Sequence, residues 1–281
     1  MNLTDTHCHL DLDKFDSDRG EVLDRAWNAG LTRILVPGLN LVSSARVVQL
    51  AESQSRIFAA IGVHPNDALT WNQNSREELK RLYEVSGKLK NIKKIVAIGE
   101  IGLDYYWDEA PHALQKVILQ EQLDLALELG LPVILHLREK EDAYDGDCAK
   151  DLVSILQAWT QELIQKNSPL AAAPGVLHSF SASQETAKSV LDLNFYIGIT
   201  GPVTYKNAEQ KRVVVKSLPL ECMLIETDAP FLAPVPMRGR RNEPAFVCHI
   251  TDKIAEIHNK NPKEIAALTC TNAARLFSWG G

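Results

Sequence analysis

Short runs of apolar and β-branched residues alternate with longer amphipathic stretches along the whole chain, a pattern typical of repeated βα units. Between His112 and Leu129, for example, apolar residues recur with the spacing of one helix face. The short runs predict eight strands: Leu3–His7, Arg33–Pro37, Ile57–His64, Ile95–Asp104, Val133–Leu137, Val176–Phe180, Phe195–Thr200 and Met223–Asp228. A doubly wound sheet has the same alternation, but eight such units favour a (β/α)8 TIM barrel.

The end of the chain carries a further helix signal. Asn261-Pro262-Lys263-Glu264 matches an N-cap, a proline at the first helical position and a glutamate at the third. It predicts an extra C-terminal helix that runs through Leu276, on the outside of the barrel. Two loops are expected to be long, the charged segment 139–147 and the Pro- and Ala-rich segment 167–175. No internal repeat or linker divides the chain, so we expect a single domain over residues 1–281.

Composition narrows the class of protein. With 45% hydrophobic and 23% charged residues, the chain is not typical of a disordered or fibrous protein. It has no apolar run near the ~18 residues of a membrane span and no recognisable signal peptide. Five scattered cysteines give no disulfide framework, which favours a reducing cytoplasm. The net charge of −6 argues against a protein that coats nucleic acid, although not against local phosphate binding.

Residues that can bind metals fall at the ends of the predicted strands. In a (β/α)8 barrel these ends converge on one face, where active sites are built. Seven such residues are expected to meet in one cavity there: His7, His9, His64, Glu100, His136, His178 and Asp228. In an extended strand alternate side chains share a face, so both His7 and His9 are expected to point inward and Cys8 outward.

Neutral imidazoles combined with carboxylates suit a divalent cation such as Zn²⁺ or Mn²⁺, and Mg²⁺ is not excluded. Two ions are favoured over one, because two groups of candidates are each incomplete alone: His7, His9 and Asp228 in one, His136 and His178 in the other. Glu100 lies between them and is expected to bridge both ions. Paired ions ~3.5–4 Å apart activate a water molecule for phosphoryl displacement. The alternative, buried structural histidines, requires a separate partner for each ring.

Motifs from residue 5 to residue 244 resemble the TatD family of metal-dependent deoxyribonucleases, within the amidohydrolase-like barrels. They are Asp5-Thr6-His7-Cys8-His9-Leu10-Asp11, Gly62-Val63-His64-Pro65, Gly99–Tyr106, His136-Leu137-Arg138, His178-Ser179-Phe180-Ser181, Glu226–Pro234 and Arg241-Asn242-Glu243-Pro244. The intact pair His7 and His9 is similar to the branch of the family that keeps both N-terminal histidines.

This resemblance implies a ligand set and a reaction. One ion would be held by His7, His9, Glu100 and Asp228, and the other by Glu100, His136 and His178. Asp228 would also orient or deprotonate the attacking water, so that Asp228 and Glu100 are the expected catalytic residues. The family's activity is hydrolysis of DNA phosphodiesters, often as a 3′→5′ exonuclease on single strands. DNA is therefore the expected substrate, and no obligate protein partner is evident.

Five further residues are expected to contact substrate. Those with a predicted role in holding phosphate or the rest of the substrate are His64, Arg138, Arg238, Arg240 and Arg241. Each has a structural alternative. His64 precedes Pro65 and could be a turn histidine, Arg138 could form a salt bridge to Glu139 or Asp142, and the basic cluster could be a solvated loop.

Two carboxylates are expected to support the site from behind. Glu226 alternates with Asp228 and shares its inward face, so its carboxylate is placed to hydrogen bond to metal ligands. Asp104 lies beside Tyr105 and Tyr106 and is expected to position substrate or ligands. Either tyrosine could stack on a base or simply pack in the core.

The sequence leaves three classes of function open. The leading hypothesis is a cytoplasmic two-metal phosphodiester hydrolase, a DNA exonuclease. The second keeps the metals but changes the bond to an amide, ester or lactone, including D-aminoacyl-tRNA deacylation, because the same activated water attacks a carbonyl carbon. The third is a non-catalytic barrel that binds a partner or nucleic acid.

Overall fold

The computed structural model of the protein describes residues 1–86 and 93–279. Residues 87–92 and 280–281, which the predicted domain includes, lie outside the described residues. Within the described part, eight parallel strands follow one another around a single sheet in chain order. They are β1 (Leu3–Asp5), β2 (Leu31–Pro37), β3 (Ile57–Ile61), β4 (Ile95–Asp104), β5 (Val133–Arg138), β6 (Gly175–Leu177), β7 (Tyr196–Ile199) and β8 (Met223–Ile225).

The sheet nearly closes on itself between its first and last strands. A parallel bridge joins Cys8 to Ala229, and the Thr6 amide donates to the carbonyl of Ile225 at 3.2 Å. Helices α1 to α8 follow the strands and form an outer layer around a continuous apolar core. The predicted (β/α)8 TIM barrel is therefore confirmed.

The described helices are α1 (Arg19–Asn28), α2 (Leu41–Ser53), α3 (Ser75–Val85), α4 (His112–Leu129), α5 (Asp147–Gln165), α6 (Gln184–Leu191), α7 (Glu209–Ser217), α8 (Val247–His258) and α9 (Pro262–Phe277). Helix α4 has the predicted bounds, and Gly130 ends it with a positive φ of 66°. None of the described helices is long and apolar enough to cross a membrane.

Helix α9 is the predicted extra helix, and it begins as the sequence indicates. The Asn261 side chain accepts from the Lys263 amide at 2.9 Å, and Glu264 completes a capping box. The helix packs against α8, β1 and β8, as an outer helix would. Beyond its end, the Trp279 ring lies 5.2 Å from the ring of Phe58 on β3. The end of α9 thus also covers apolar residues from the strands, a role that the sequence pattern did not predict.

Five strands end earlier than predicted: β7 by one residue, and β1, β3, β6 and β8 by two or more. After β6 and β8 the backbone turns sharply, since Ser179 and Asp228 have φ of 45° and 58°, in the left-handed region. After β3 the chain turns into a short 3₁₀ helix, Pro65–Thr70. The residues just beyond these strand ends leave the ladder, and the side chains of His64, His178 and Asp228 lie at the mouth of the barrel.

Candidate metal centre

The six predicted ligands meet at the carboxyl ends of β1, β4, β5, β6 and β8, around the carboxylate of Glu100. Its Oε2 lies 3.2 Å from His7 Nε2 and 3.7 Å from His9 Nε2. Its Oε1 lies 2.9 Å from His136 Nδ1 and 3.8 Å from His178 Nε2. One oxygen of the same carboxylate therefore faces each of the two histidine pairs, the arrangement that a bridging ligand requires.

Asp228 approaches the same centre from the opposite side of the barrel. Its Oδ1 lies 3.4 Å from His9 Nε2 and 3.9 Å from both His7 Nε2 and His178 Nε2. The rings of His7 and His178 stack with centroids 3.5 Å apart. His7 and His9 also bring their Nε2 atoms to 3.2 Å from each other. Alternate residues after β1 thus do point inward together, while Cys8 is buried in the apolar core between them.

These donors fit divalent cations. Three groups of ligand atoms each lie within 4.8 Å of one another: His7, His9 and Glu100; His7, His178 and Asp228; His64, Glu100 and His136. All are imidazole nitrogens or carboxylate oxygens, and Glu100 is 3% exposed. A buried carboxylate needs a compensating positive charge nearby. Removal of one partner of a buried ion pair costs about 3–5 kcal/mol, because the other charge is then left unpaired and out of water. Divalent ions bound at this centre would supply that charge.

Hydrogen bonds behind two of the histidines fix which nitrogen faces the centre. His136 Nε2 lies 2.9 Å from Asp104 Oδ2, which leaves its Nδ1 toward Glu100. His178 Nδ1 lies 3.0 Å from Glu226 Oε1, which leaves its Nε2 toward the centre. Carboxylates in this position orient metal-binding imidazoles and raise their basicity. By contrast, the buried Nδ1 atoms of His7 and His9 have no hydrogen-bond partner among the described residues.

The metal-free site is strongly polarised. Burial disfavours a charged His136 or His178, but their carboxylate partners outweigh it and raise the pKa of His136 to about 9 and that of His178 to about 10. Burial likewise opposes ionisation of Glu100 and Asp228, yet the surrounding histidines hold the pKa of both below the ordinary range. At neutral pH the centre therefore presents carboxylates, and protons occupy imidazoles that cations would otherwise bind.

His64 has a hydrogen-bonding pattern that differs from that of the other histidines. Its Nδ1 accepts from the Asn66 amide at 3.1 Å, so a neutral ring carries its proton on Nε2. That Nε2 lies 3.6 Å from Glu100 Oε1. Burial and the neighbouring ring of His136 lower the pKa of His64 to about 3, so that the ring is neutral. His64 is therefore arranged as a hydrogen-bond donor facing the centre.

Asp5 is a supporting residue to which sequence reasoning gave no role. Its carboxylate accepts from the Thr227 amide at 2.9 Å, from the Thr227 hydroxyl at 2.5 Å and from the His7 amide at 3.3 Å. It thereby ties the segment with His7 and His9 to the segment with Asp228. The sequence feature that could have identified Asp5 is its position two residues before His7, which places both side chains on the same face of the strand. Burial raises the pKa of Asp5 to about 8.

Comparison with known proteins agrees with this geometry. The family model described as TatD related DNase matches residues 4–278. The chain belongs to the TatD-related DNase family. It is accordingly a metal-dependent hydrolase, as its relatives' names also indicate.

Three relatives illustrate the match. The uncharacterized metal-dependent hydrolase YabD of Bacillus subtilis (strain 168) is 40% identical over 275 residues, 98% of each chain. A protein named 3′-5′ ssDNA/RNA exonuclease TatD from Pantoea ananatis (strain LMG 20103) is 35% identical over 283 residues, covering 99% of this chain and 97% of that one. The crystal structure of YjjV, a TatD homologue from Escherichia coli K12, superposes with a TM-score of 0.86 at 34% identity, covering 98% of each chain.

Three of the four predicted arginines of this TatD-family chain surround the mouth of the barrel with exposed or half-exposed side chains. Arg138 stacks over the ring of Tyr106 at 3.8 Å and donates to Asp142 at 2.9 Å, which is the salt bridge that the sequence offered as the alternative. Arg238 lies over the ring of Tyr205 at 4.4 Å, and Arg240 is exposed. Exposed ion pairs such as the one from Arg138 contribute about 0–1 kcal/mol, so a phosphate can compete for the guanidinium.

Arg241 is placed differently from its neighbours. Its guanidinium donates to both oxygens of Asp18, at 2.8 and 2.6 Å, and to the carbonyl of Lys14 at 2.6 Å. It also reaches Glu243 Oε1 at 3.3 Å. These contacts tie the loop after β8 to the segment before α1. The geometry thus favours a bracing role for Arg241 over the predicted contact with substrate.

Glu226 and Asp104 lie where a supporting role requires. Glu226 is fully buried and accepts from the Ser179 amide at 2.5 Å, in addition to its contact with His178. Asp104 accepts from the Tyr106 amide at 2.9 Å and from the Trp107 amide at 3.1 Å. Each carboxylate therefore links one histidine of the centre to a surrounding loop.

Of the two tyrosines considered for base stacking, Tyr105 packs inside the protein. Its ring stacks on His112 at 3.5 Å, and its hydroxyl donates to Asp151 at 2.6 Å. The aromatic side chains exposed at the mouth are instead Trp107 and Phe231, which are 47% and 43% exposed. Neither stood out from the sequence as a candidate, although each follows a ligand-bearing strand by a few residues.

Proposed function

We propose that this chain hydrolyses DNA phosphodiester bonds, as a 3′→5′ exonuclease on single strands, with two divalent ions. The observation that carries the proposal is Glu100, whose two oxygens face two histidine pairs. The names of two relatives, from Pantoea ananatis and Cronobacter sakazakii, as 3′-5′ ssDNA/RNA exonucleases support the choice of substrate. The matched region covers at least 93% of the length of each of these relatives.

The residues divide into two sets around that carboxylate. His7, His9, Glu100 and Asp228 would hold one ion, and Glu100, His136 and His178 the other. Bound divalent ions acidify a coordinated water and neutralise the charge of the phosphate in the transition state. Asp104 and Glu226 keep the rings of His136 and His178 turned toward the centre.

Asp228 is the proposed general base. The histidines around it hold its pKa below the ordinary range, so it is a carboxylate at neutral pH and able to accept a proton from the attacking water. Its side chain is 14% exposed, which makes it more open to the mouth than Glu100. The left-handed backbone at Asp228, with φ of 58°, turns this carboxylate over the centre.

The substrate phosphates would be gripped by donors at the mouth. The Nε2–H of His64 faces the centre and is placed to donate to a phosphate oxygen there. Arg138, Arg238 and Arg240 provide positive charge around it, for the neighbouring phosphates of the strand.

The five cysteines are thiols in the structure, which supports the cytoplasm as the location in this proposal.

The test is a matrix of metals and substrates with purified protein. A 5′-labelled single-stranded oligonucleotide should yield a ladder shortened from its 3′ end, in the presence of a divalent ion and not in excess chelator. Asp228→Asn should reduce that rate by at least about 100-fold, because the base is lost while the fold is retained. Faster hydrolysis of a D-aminoacyl ester than of DNA, under the same conditions, would overturn the proposal in favour of carbonyl chemistry.

A further inference from the structure

Two exposed aromatic side chains flank the metal centre on opposite sides of the barrel mouth. Trp107 follows β4 and Phe231 follows β8. In a sheet of eight strands that closes between β1 and β8, strands β4 and β8 lie across the barrel from each other. A ligand that extends across the mouth, over the centre, would therefore meet one aromatic side chain on each side.

Trp107 is held in a fixed relation to the centre. Asp104 accepts from the amides of Tyr106 and Trp107 through Oδ1, at 2.9 and 3.1 Å. Through Oδ2 the same carboxylate contacts His136 Nε2 at 2.9 Å. The turn that presents the indole is thus separated from a proposed metal ligand by one side chain.

A cation, the guanidinium of Arg138, lies beside the rings of Tyr106 and Trp107. The guanidinium of Arg138 lies 3.8 Å from the Tyr106 ring centroid and 5.7 Å from that of Trp107. The rings of Tyr106 and Trp107 meet edge to face at 4.7 Å. Aromatic surface beside a guanidinium offers a base a stacking partner and offers the adjoining phosphate a counter-charge.

Phe231 has matching surroundings. Its amide donates to the carbonyl of Asp228 at 2.8 Å, and its carbonyl accepts from Asn242 Nδ2 at 2.6 Å. Its ring lies 6.2 Å from the ring of His9. The ammonium of Lys14 lies 4.8 Å from the Phe231 ring centroid. On this side, too, an aromatic ring and a cation lie next to a proposed ligand.

We propose that Trp107 and Phe231 are base-stacking subsites on either side of the scissile phosphate, and that they account for the preference for single strands in the proposed function. The inference rests on the proposed function. It adds contacts to the bases of the substrate, whereas the metal centre would contact only the phosphate. Bases in a duplex are already stacked on each other and present no faces to these rings, whereas bases of a single strand do. Each ring has a cation beside it, Arg138 at Trp107 and Lys14 at Phe231, as each base of such a strand has a phosphate beside it.

The test measures binding of fluorescein-labelled single strands to metal-loaded protein by fluorescence anisotropy at constant salt. The strands carry phosphorothioate linkages, which resist cleavage, and either normal bases or abasic residues at the last three 3′ positions. Wild-type protein should prefer the strand with bases. Trp107→Ala and Phe231→Ala should each weaken binding of that strand by about 5- to 150-fold and leave binding of the abasic strand unchanged.

Conservative and remote variants separate stacking from folding. Trp107→Phe should recover most of the preference for bases, since it restores an aromatic face. Ile164→Ala, on the outer helix α5 where the side chain is 61% exposed, should behave as wild type. Equal binding of both strands by wild-type protein would overturn the inference, and so would an equal loss for both strands in Trp107→Ala.

Failure of the proposed function has a different outcome. If metal-loaded protein leaves ordinary phosphodiester strands intact but still prefers bases through Trp107 and Phe231, hydrolysis of DNA is wrong and the stacking subsites stand. If it cleaves strands with and without bases at equal rates and binds them equally, the stacking subsites are wrong and hydrolysis of DNA stands.

Discussion

The position of the proton on His64 separates this residue from the proposed metal ligands around it. His64 belongs to a group of atoms close enough to hold an ion, together with Glu100 and His136. Its Nδ1, however, accepts a backbone hydrogen bond, so that its Nε2 carries a proton and is a donor. A donor aimed at the reacting phosphate stabilises the charge that develops there without binding the metal.

Replacement of His64 tests this assignment. His64→Ala should lower kcat on single-stranded DNA by about 100- to 1000-fold, the usual loss for one preorganised donor. The metal content should stay at the wild-type value, because no ligand is removed. His64→Gln, whose amide can still donate, should recover part of the rate. Loss of a metal ion from His64→Ala, measured by elemental analysis, would make His64 a ligand instead.

At the scale of elements, strand β7 supports the centre without contributing a ligand. Gly198 on β7 lies against the carboxylate of Glu226, and a Cβ atom at this position would overlap both carboxylate oxygens. Glu226 is fully buried and holds His178 and the Ser179 amide, so its carboxylate has little freedom to move away. The strand therefore needs glycine there so that β8 can place Glu226.

Gly198→Ala should consequently weaken metal binding at a distance. Displacement of Glu226 releases the ring of His178, and loss of such an outer partner typically reduces metal affinity by about 10- to 100-fold. Isothermal titration calorimetry with a divalent ion measures the change. Gly20→Ala, in α1 where a Cβ atom meets nothing within 4 Å, is the matched control and should bind as wild type. Equal affinities for the two variants would contradict the role of Glu226.

Residue periodicity predicted the elements well, because each βα unit must bury one face of a helix on the barrel. Helix α4 and the cap of α9 were predicted to the residue. The ends of β6 and β8 were not, since the turns at Ser179 and Asp228 depend on where their side chains must point, not on hydrophobicity. The ligand types at strand ends identified the centre for the same geometric reason.

What the sequence could not supply is the pairing between residues far apart in the chain. The contact of Arg241 with Asp18 and that of Asp5 with Thr227 each join segments separated by more than 200 positions. Exposure of Trp107 and Phe231 likewise depends on how the loops after β4 and β8 fold. Burial of Tyr105 against His112 decided between two interpretations that the sequence left open.

At the scale of the whole molecule, the net charge of −6 and a phosphate-binding mouth are compatible. The net charge is a total over the whole chain, whereas Arg138 ends β5, Arg238 and Arg240 follow β8, and Lys14 follows β1, all on the side of the barrel mouth. Two divalent ions with the carboxylates of Glu100 and Asp228 would add a further local positive charge. Such a distribution favours transient engagement of a strand end over coating of nucleic acid.

Stability should depend on pH in a way that reveals the state of the centre. His136 and His178 have folded-state pKa values raised to about 9 and about 10 from an ordinary value of 6.5. Their ion pairs therefore stabilise the metal-free fold fully below pH 6.5, and this contribution is lost as the pH rises through 9 and 10. Urea unfolding in chelator should give a lower free energy of unfolding at pH 10 than at pH 7.

The metal-loaded protein is the control for this comparison. Ions bound at the proposed centre would displace the protons from these two rings, so the same change in pH should alter the free energy of unfolding less. Apparent metal affinity should rise over the same interval, because fewer protons have to leave. A metal-free protein whose stability is unchanged from pH 7 to pH 10 would contradict the assigned ion pairs.

Glu100 is proposed to join two metal ions into one hydrolytic centre. The most direct test of this proposal is elemental analysis of wild-type protein and Glu100→Gln after equilibration with the same divalent ion, together with the rate of hydrolysis of a single-stranded oligonucleotide. We predict two ions per wild-type chain, at most one per variant chain, and a rate at least about 100-fold lower in the variant. A folded Glu100→Gln that keeps two ions and hydrolyses DNA at the wild-type rate would show that Glu100 does not join two ions into the hydrolytic centre.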